Sequence, residues 1–218
     1  STLFPYTTLF RSFEEERGNV FESYSKLGAH PNAFTNFGTT AYYFTSTNNF
    51  YECLDILITF VGRPFFTDEN VEKEKGIIGQ EIKMYDDQPD WRVYMGTVKN
   101  MFHHHPVNID IAGTVQSINL ITKEDLYTCY NTFYHPSNMS LFVVGGVDPE
   151  EVMLLVRDNQ AKKQFSPMGE IKRFFDEEPT EVKEKKRVVQ LAVSQPKCLI
   201  GVKEKEVGLT GKDLLIKE

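Results

Sequence analysis

The stretch TDENVEKEKGIIGQEIKMYDDQP, Thr67 to Pro89, decides how the chain is read. Val71, Ile78, Ile82 and Tyr85 recur at steps of three, four and seven residues, the spacing of one buried stripe on an α-helix. Thr67 or Asp68 offers a capping oxygen to the first free N–H groups, acids crowd the first turn, and Pro89 is expected to close the far end. Glu74 and Glu81 stand seven residues apart, two turns, so both carboxylates fall on nearly the same side beside the apolar stripe. In isolation a Glu in so charged a helix reads as part of a solvated face. The surrounding sequence has to decide whether this pair does more.

Composition bounds the answer. The 218 residues, 40% hydrophobic and 25% charged, suit a globular chain with one full core and part of a second. A net charge of -7 and the lack of a basic stripe argue against nucleic acid as a partner. No apolar run reaches the eighteen or more residues that a membrane-spanning helix needs, so no membrane partner and a cytoplasmic location are expected. Cys53, Cys129 and Cys198 are far apart, odd in number and without C-x-x-C spacing, which reads as small core residues in a reducing compartment.

Working outward from the helix, residues 1–12, STLFPYTTLFRS, have neither a capped periodic run nor an unbroken alternation and read as a non-native segment. VFESYSKLG, 20–28, predicts a short helix ended by Gly28. NAFTNF, 32–37, and TTAYYFTST, 39–47, predict two strands joined at Gly38. Asn48 or Asn49 is expected to cap a buried helix, FYECLDILITFVGR. Beyond Pro89, Asp90 should cap WRVYMGTVKNMF with Trp91, Tyr94, Val98, Met101 and Phe102 inward. Adjacent His103, His104 and His105 diverge too much to surround one ion and read as a polar helix end. Thr122 and Asp125 form a capping box for KEDLYTCYNTFY, with Leu126, Cys129, Tyr130 and Phe133 inward. MSLFVVGG, 139–146, reads as a buried strand, and Asp148-Pro149 as the start of a helix over PEEVMLLVRDNQ.

The domain reading is a first unit over 13–162, a charged linker over 163–187 and an incomplete second unit over 188–218. That last part contains the β-rich runs VVQLAVS and KCLIGV and a helix start at TGKDLLIKE. The fold class expected is α+β: an antiparallel sheet packed on one side by helices.

Five blocks carry a family resemblance: FEEERGNVFESYSKLGAHPNAFT, VEKEKGIIGQEIKMYDDQPDWRVY, HPVNIDIAGTVQSI, FYHPSNMSLFVVGGVDPEEV and PKCLIGVKEKEVGLTGKDLL. In this order they resemble the pitrilysin/insulinase family of zinc peptidases, the inverted zincins, in particular its bacterial single-chain members of half length. The resemblance covers residues 13–218. It implies a metalloendopeptidase whose zinc is held by two His of an H-x-x-E-H helix and a Glu far downstream, with the motif Glu as general base. Such an ion keeps a position for water, lowers its pKa and polarises the scissile carbonyl. By this resemblance Glu81, in GQEI, is the downstream zinc ligand and Glu74 an acid supporting the site. Asn32, Ala33, Phe34 and Thr35 match the edge strand to which a peptide substrate adds as a further strand, bound through its main chain. A second family subunit or a dimer is the other partner implied.

One departure is decisive for activity. The resemblance places the motif's His, Glu and His at positions 6, 9 and 10, which here are Tyr6, Leu9 and Phe10. None can ligate zinc or act as a base, and a lone carboxylate does not make a zinc site, so the chain as given is expected to be inert. The family's first strands would lie before residue 1, and the arginine and tyrosine of its second half beyond residue 218. Two readings stay open: an interior piece of an active zinc metallopeptidase, or a non-catalytic scaffold or peptide-binding subunit of the family. A plain structural domain is a weaker third.

Overall fold

The computed structural model describes residues 20–204 apart from 173 and 175, so residues 1–12 and the helix expected at TGKDLLIKE lie outside the described residues. In chain order the elements are α1 (Val20–Lys26), β1 (Ala29–Thr35), β2 (Thr40–Ser46), α2 (Phe50–Val61), α3 (Asp68–Asp86), α4 (Pro89–Met101), α5 (Val115–Asn119), α6 (Lys123–Phe133) and α7 (Pro149–Ala161). The described residues divide into two compact units, one of 20–80 with 111–172, the other of 81–110 with those of 174–204. Helices with one small antiparallel sheet make the fold α+β, as expected.

The larger unit begins with α1, which ends where Gly28 takes a φ of +70°, a conformation that costs glycine little. β1 and β2 then pair antiparallel over seven residues, from Ala29 opposite Ser46 to Thr35 opposite Thr40. Between them Asn36 Oδ1 accepts the N–H groups of Gly38 and Thr39, so a side chain closes the turn. Burial alternates along β1: Ala29, Pro31, Ala33 and Thr35 turn toward the core, while His30, Asn32 and Phe34 are exposed. The core joins Val20 and Tyr24 of α1 to Cys53, Leu57, Phe60 and Val61 of α2, Val71 of α3, and Leu126 and Tyr130 of α6. Ala33, Tyr42 and Phe44 pack against it from the sheet. One face of the hairpin therefore carries the hydrophobic contact, and the buried tyrosine of α1 satisfies its own polar end: Tyr24 Oη donates to the Cys53 carbonyl at 3.0 Å.

The caps follow local chemistry with two exceptions. Thr67 and Asn70 bond reciprocally, Thr67 N–H to Asn70 Oδ1 at 2.8 Å and Asn70 N–H to Thr67 Oγ1 at 3.1 Å, so the N-terminus of α3 is secured at Thr67. Thr122 and Asp125 form the expected capping box of α6. Asp148 accepts the Glu150 N–H, with Pro149 opening α7. Asn49, by contrast, sits at φ 55° and makes no capping bond to α2. Its amide donates instead to the Leu27 carbonyl at 3.2 Å, and α2 is held by its buried face. Pro89 does not close α3, which already ends at Asp86; it stands at the start of α4, where a missing N–H costs nothing. Asp90 accordingly lies inside the first turn of α4 and is not its cap.

Several inward assignments are corrected. Val71, Ile78 and Ile82 of α3 are buried, but Tyr85 is exposed and turns onto Trp91 at 5.7 Å between ring centroids. In α4 the buried residues are Met95 and Val98, whereas Tyr94 is exposed and Trp91, Met101 and Phe102 are half-buried. Trp91 keeps its indole N–H near the surface to donate to Asp110 at 2.9 Å. Phe133 is exposed at the last turn of α6, and Cys198 is exposed while Cys53 and Cys129 are buried. A capped helix, α5, stands in the loop before Thr122, with Thr114 and Ser117 bonded reciprocally.

The largest correction concerns 139–146. This run forms no strand, and Phe142 and Val144 are 87% and 98% exposed. A strand exists only by pairing, and among the described residues the sheet consists of β1 and β2 alone. The β-rich runs at 188–194 and 197–202 likewise have no regular structure. No helix of the described residues is long and apolar enough to cross a membrane.

Candidate functional site

The two acids singled out in the sequence lie on one continuous helix. Seven residues at about 1.5 Å rise put their Cα atoms roughly 10 Å apart, so they cannot grasp one ion as adjacent ligands. Their environments differ. Glu74 is 5% exposed, the one buried charged residue among those described, whereas Glu81 is half-buried. A carboxylate as buried as Glu74 has a structural cost that an ordinary solvated helix face does not carry. Glu74 falls in the larger unit and Glu81 in the smaller one.

Asn32, Ala33, Phe34 and Thr35 occupy the second half of β1. The Ala33 N–H donates to Oδ1 of Asn32 at 2.8 Å, which turns it away from β2. Bonded pairs alternate in an antiparallel ladder, so Asn32 and Phe34 carry the ladder bonds while Pro31, Ala33 and Thr35 aim their main-chain groups at the outer edge. Pro31 has no N–H to offer and is tolerated there for that reason. Among the described residues that edge has no neighbouring strand. On the exposed face Phe34 lies 6.2 Å from Tyr43, ring to ring.

The edge rests on a tyrosine arrangement that patterning did not disclose. Tyr42 is the register partner of Ala33. Its hydroxyl lies 2.7 Å from that of Tyr134, and Tyr134 stacks on Tyr130 at 4.8 Å. Tyr130 in turn donates to the Val61 carbonyl at 2.8 Å. Burial pushes the Tyr130 phenol up to about 12, and burial raises Tyr134 as well, against a lowering by the Tyr42 bond. Both stay neutral hydrogen-bonding groups across the physiological range. Only the Tyr-rich composition of 42–43 and 127–134 hinted at this, since their meeting is set by tertiary packing.

The histidine run lies just beyond the end of α4, and the backbone N–H groups of His103, His104 and His105 all donate to Glu178. Among the described residues no group of three or more His, Cys, Asp or Glu is placed to hold a metal ion. Glu81, half-buried and with Glu74 two turns away, supplies a single oxygen ligand of the kind zinc accepts. Among the described residues the donor set therefore does not fit a zinc ion without further ligands.

Comparison with known proteins bears on the same residues. A family model described as Insulinase (Peptidase family M16) matches residues 9–115, and one described as Peptidase M16 inactive domain matches residues 120–213. The chain is 56% identical over 203 residues to the uncharacterized zinc protease YmfH of Bacillus subtilis, covering 93% of this chain and 47% of that protein. It is 29% identical over 149 residues, 68% of this chain and 27% of the other, to an Arabidopsis thaliana protein named "probable mitochondrial-processing peptidase subunit beta, mitochondrial". A solved M16-like peptidase from Alicyclobacillus acidocaldarius superposes with a TM-score of 0.79 at 47% identity, over 83% of this chain and 43% of that one. The chain thus spans less than half the length of each of these relatives. Two models of one family follow one another along it, and its fold matches a solved member: the chain belongs to the insulinase family of peptidases, M16.

Proposed function

We propose that this chain is part of a zinc-dependent metalloendopeptidase and receives peptides as an added strand on the outer edge of β1. Asn32, Ala33, Phe34 and Thr35 form that edge; Glu81 is the chain's zinc ligand and Glu74 its supporting acid. The observation that carries the reading is the edge itself: an exposed half-strand whose Ala33 N–H faces away from β2, with no neighbour among the described residues. Strand addition binds through main-chain bonds and needs no dedicated pocket. The buried position of Glu74 on the helix that carries Glu81 supports the role given to the pair. By itself the chain binds without cleaving, because its own residues supply one metal ligand and no general base.

The test is peptide binding by the 218-residue chain, read by anisotropy of a labelled unstructured peptide. Ala33→Pro removes the outward N–H, and an affinity loss of about tenfold is expected with the unfolding transition in place. Unchanged affinity would remove β1 from the reading. Joined to an H-x-x-E-H segment and the remaining domains, the chain should cleave peptides in a chelator-sensitive manner.

A non-catalytic scaffold or peptide-binding subunit is the second reading, favoured by Tyr6, Leu9 and Phe10 and by the match of 120–213 to an inactive domain. Genomic DNA upstream of the Phe13 codon separates the two: an H-x-x-E-H whose last histidine lies three residues before Phe13 selects the enzyme. An open reading frame through STLFPY selects the subunit. A second family subunit is the partner proposed in either case, supported by the word subunit in the Arabidopsis relative's name. The cytoplasm is the proposed place of action, supported by three free cysteines.

A further inference from the structure

The smaller unit carries a device that peptide binding does not use. After α4 the chain turns at 102–105 and aims three consecutive backbone N–H groups at one carboxylate. His103 donates to Glu178 Oε1 at 2.9 Å, and His104 and His105 donate to Oε2 at 2.7 and 2.8 Å. The largely buried Lys203 ammonium meets Oε1 at 2.5 Å. It also donates to the carbonyls of Pro179 and Glu181 and lies 5.0 Å from the centre of the Phe102 ring. Farther along, the Glu184 N–H donates to the Asn100 carbonyl at 2.9 Å.

The described residues of 174–204 have neither helix nor strand, so side-chain and backbone contacts such as these, together with the Lys197–Asp90 ion pair, hold the segment to α4. Backbone N–H groups converging on an anion form a nest, and charge-assisted bonds are the strong ones. Burial raises the Glu178 carboxyl, but Lys203 and the three N–H groups outweigh it and hold the group ionised well below the usual carboxylate range. Something opposes closure at the same place. Asn100 Oδ1 and His103 Nε2 are buried with no hydrogen-bond partner among the described residues, on two of the residues that the segment touches. Buried polar atoms without partners regain water when a structure opens.

We propose that Glu178 and Lys203 form an electrostatic latch on the 176–204 segment, closed against the end of α4 and opening to rehydrate Asn100 and His103. It is a conformational device, independent of whether β1 takes a peptide. Hydrogen exchange on the full 218-residue chain tests it. Glu178→Gln and Lys203→Met should each speed exchange at 103–105 and 178–204 by about tenfold or more while 29–61 keeps its protection. Asn100→Leu removes an atom that opposes closure and should slow exchange in 178–204. Unaltered exchange in the two charge variants overturns the latch, and so does a loss that spreads equally over 29–61. Unaltered or faster exchange in Asn100→Leu overturns the opening and leaves a static brace.

Discussion

TTAYYFTST at 39–47 and MSLFVVGG at 139–146 have the same β-rich character, yet only the first forms a strand. β2 has β1 opposite it in a seven-residue register and a core beneath it that includes Tyr24 and Phe60. The second run has neither, and Phe142 and Val144 stand in solvent. The difference teaches that β-propensity describes a fit to a pleated, half-buried surface; without the surface there is no strand.

The strongest way to break the comparison is to empty the core under the paired run. Phe60→Ala deletes a ring 2% exposed that meets Tyr42 edge-on, and should cost about 3–5 kcal/mol by urea unfolding. A smaller effect is expected where the hairpin is tied to α6. Tyr134→Phe takes from Tyr42 the hydroxyl 2.7 Å away and should cost about 1–2 kcal/mol, with much of it recovered in Tyr42→Phe/Tyr134→Phe, since removing both partners leaves no polar group stranded. Recovery of nothing in the double variant would show that the pair is not coupled. The smallest effect belongs to the unpaired run: Phe142→Ser should change stability by no more than about 0.5 kcal/mol despite deleting an aromatic ring. A cost like that of Phe60→Ala would mean that 139–146 is buried in solution, and the contrast between the two runs would collapse.

Much of the local structure was legible because it is written in short-range chemistry. The capping box at Thr122 and Asp125, the Asp148-Pro149 helix start, the left-handed Gly28 and the buried spacing of Val71, Ile78 and Ile82 each depend on residues within a few positions. Readings failed where a remote partner decides. Tyr85, Tyr94 and Phe133 keep helical spacing, yet each stands where nothing covers its face fully. Pro89 fits both the end of one helix and the start of the next, and only the stop of α3 at Asp86 chooses between them. In the candidate site, the positions of Asn32–Thr35 on a strand and of both acids on one helix could be read directly. The Asn32 bond that marks the outer edge and the tyrosines behind it could not.

By itself the sequence determined most of the helices, the hairpin and the family, because motifs and periodicity act locally. Tertiary structure alone decided which β-rich run pairs, that Glu74 is buried while Glu81 is half-buried, and that Glu178 finds the turn after α4 some seventy residues earlier. Burial and pairing are properties of what lies opposite a residue in space, and the order of residues along the chain does not state it.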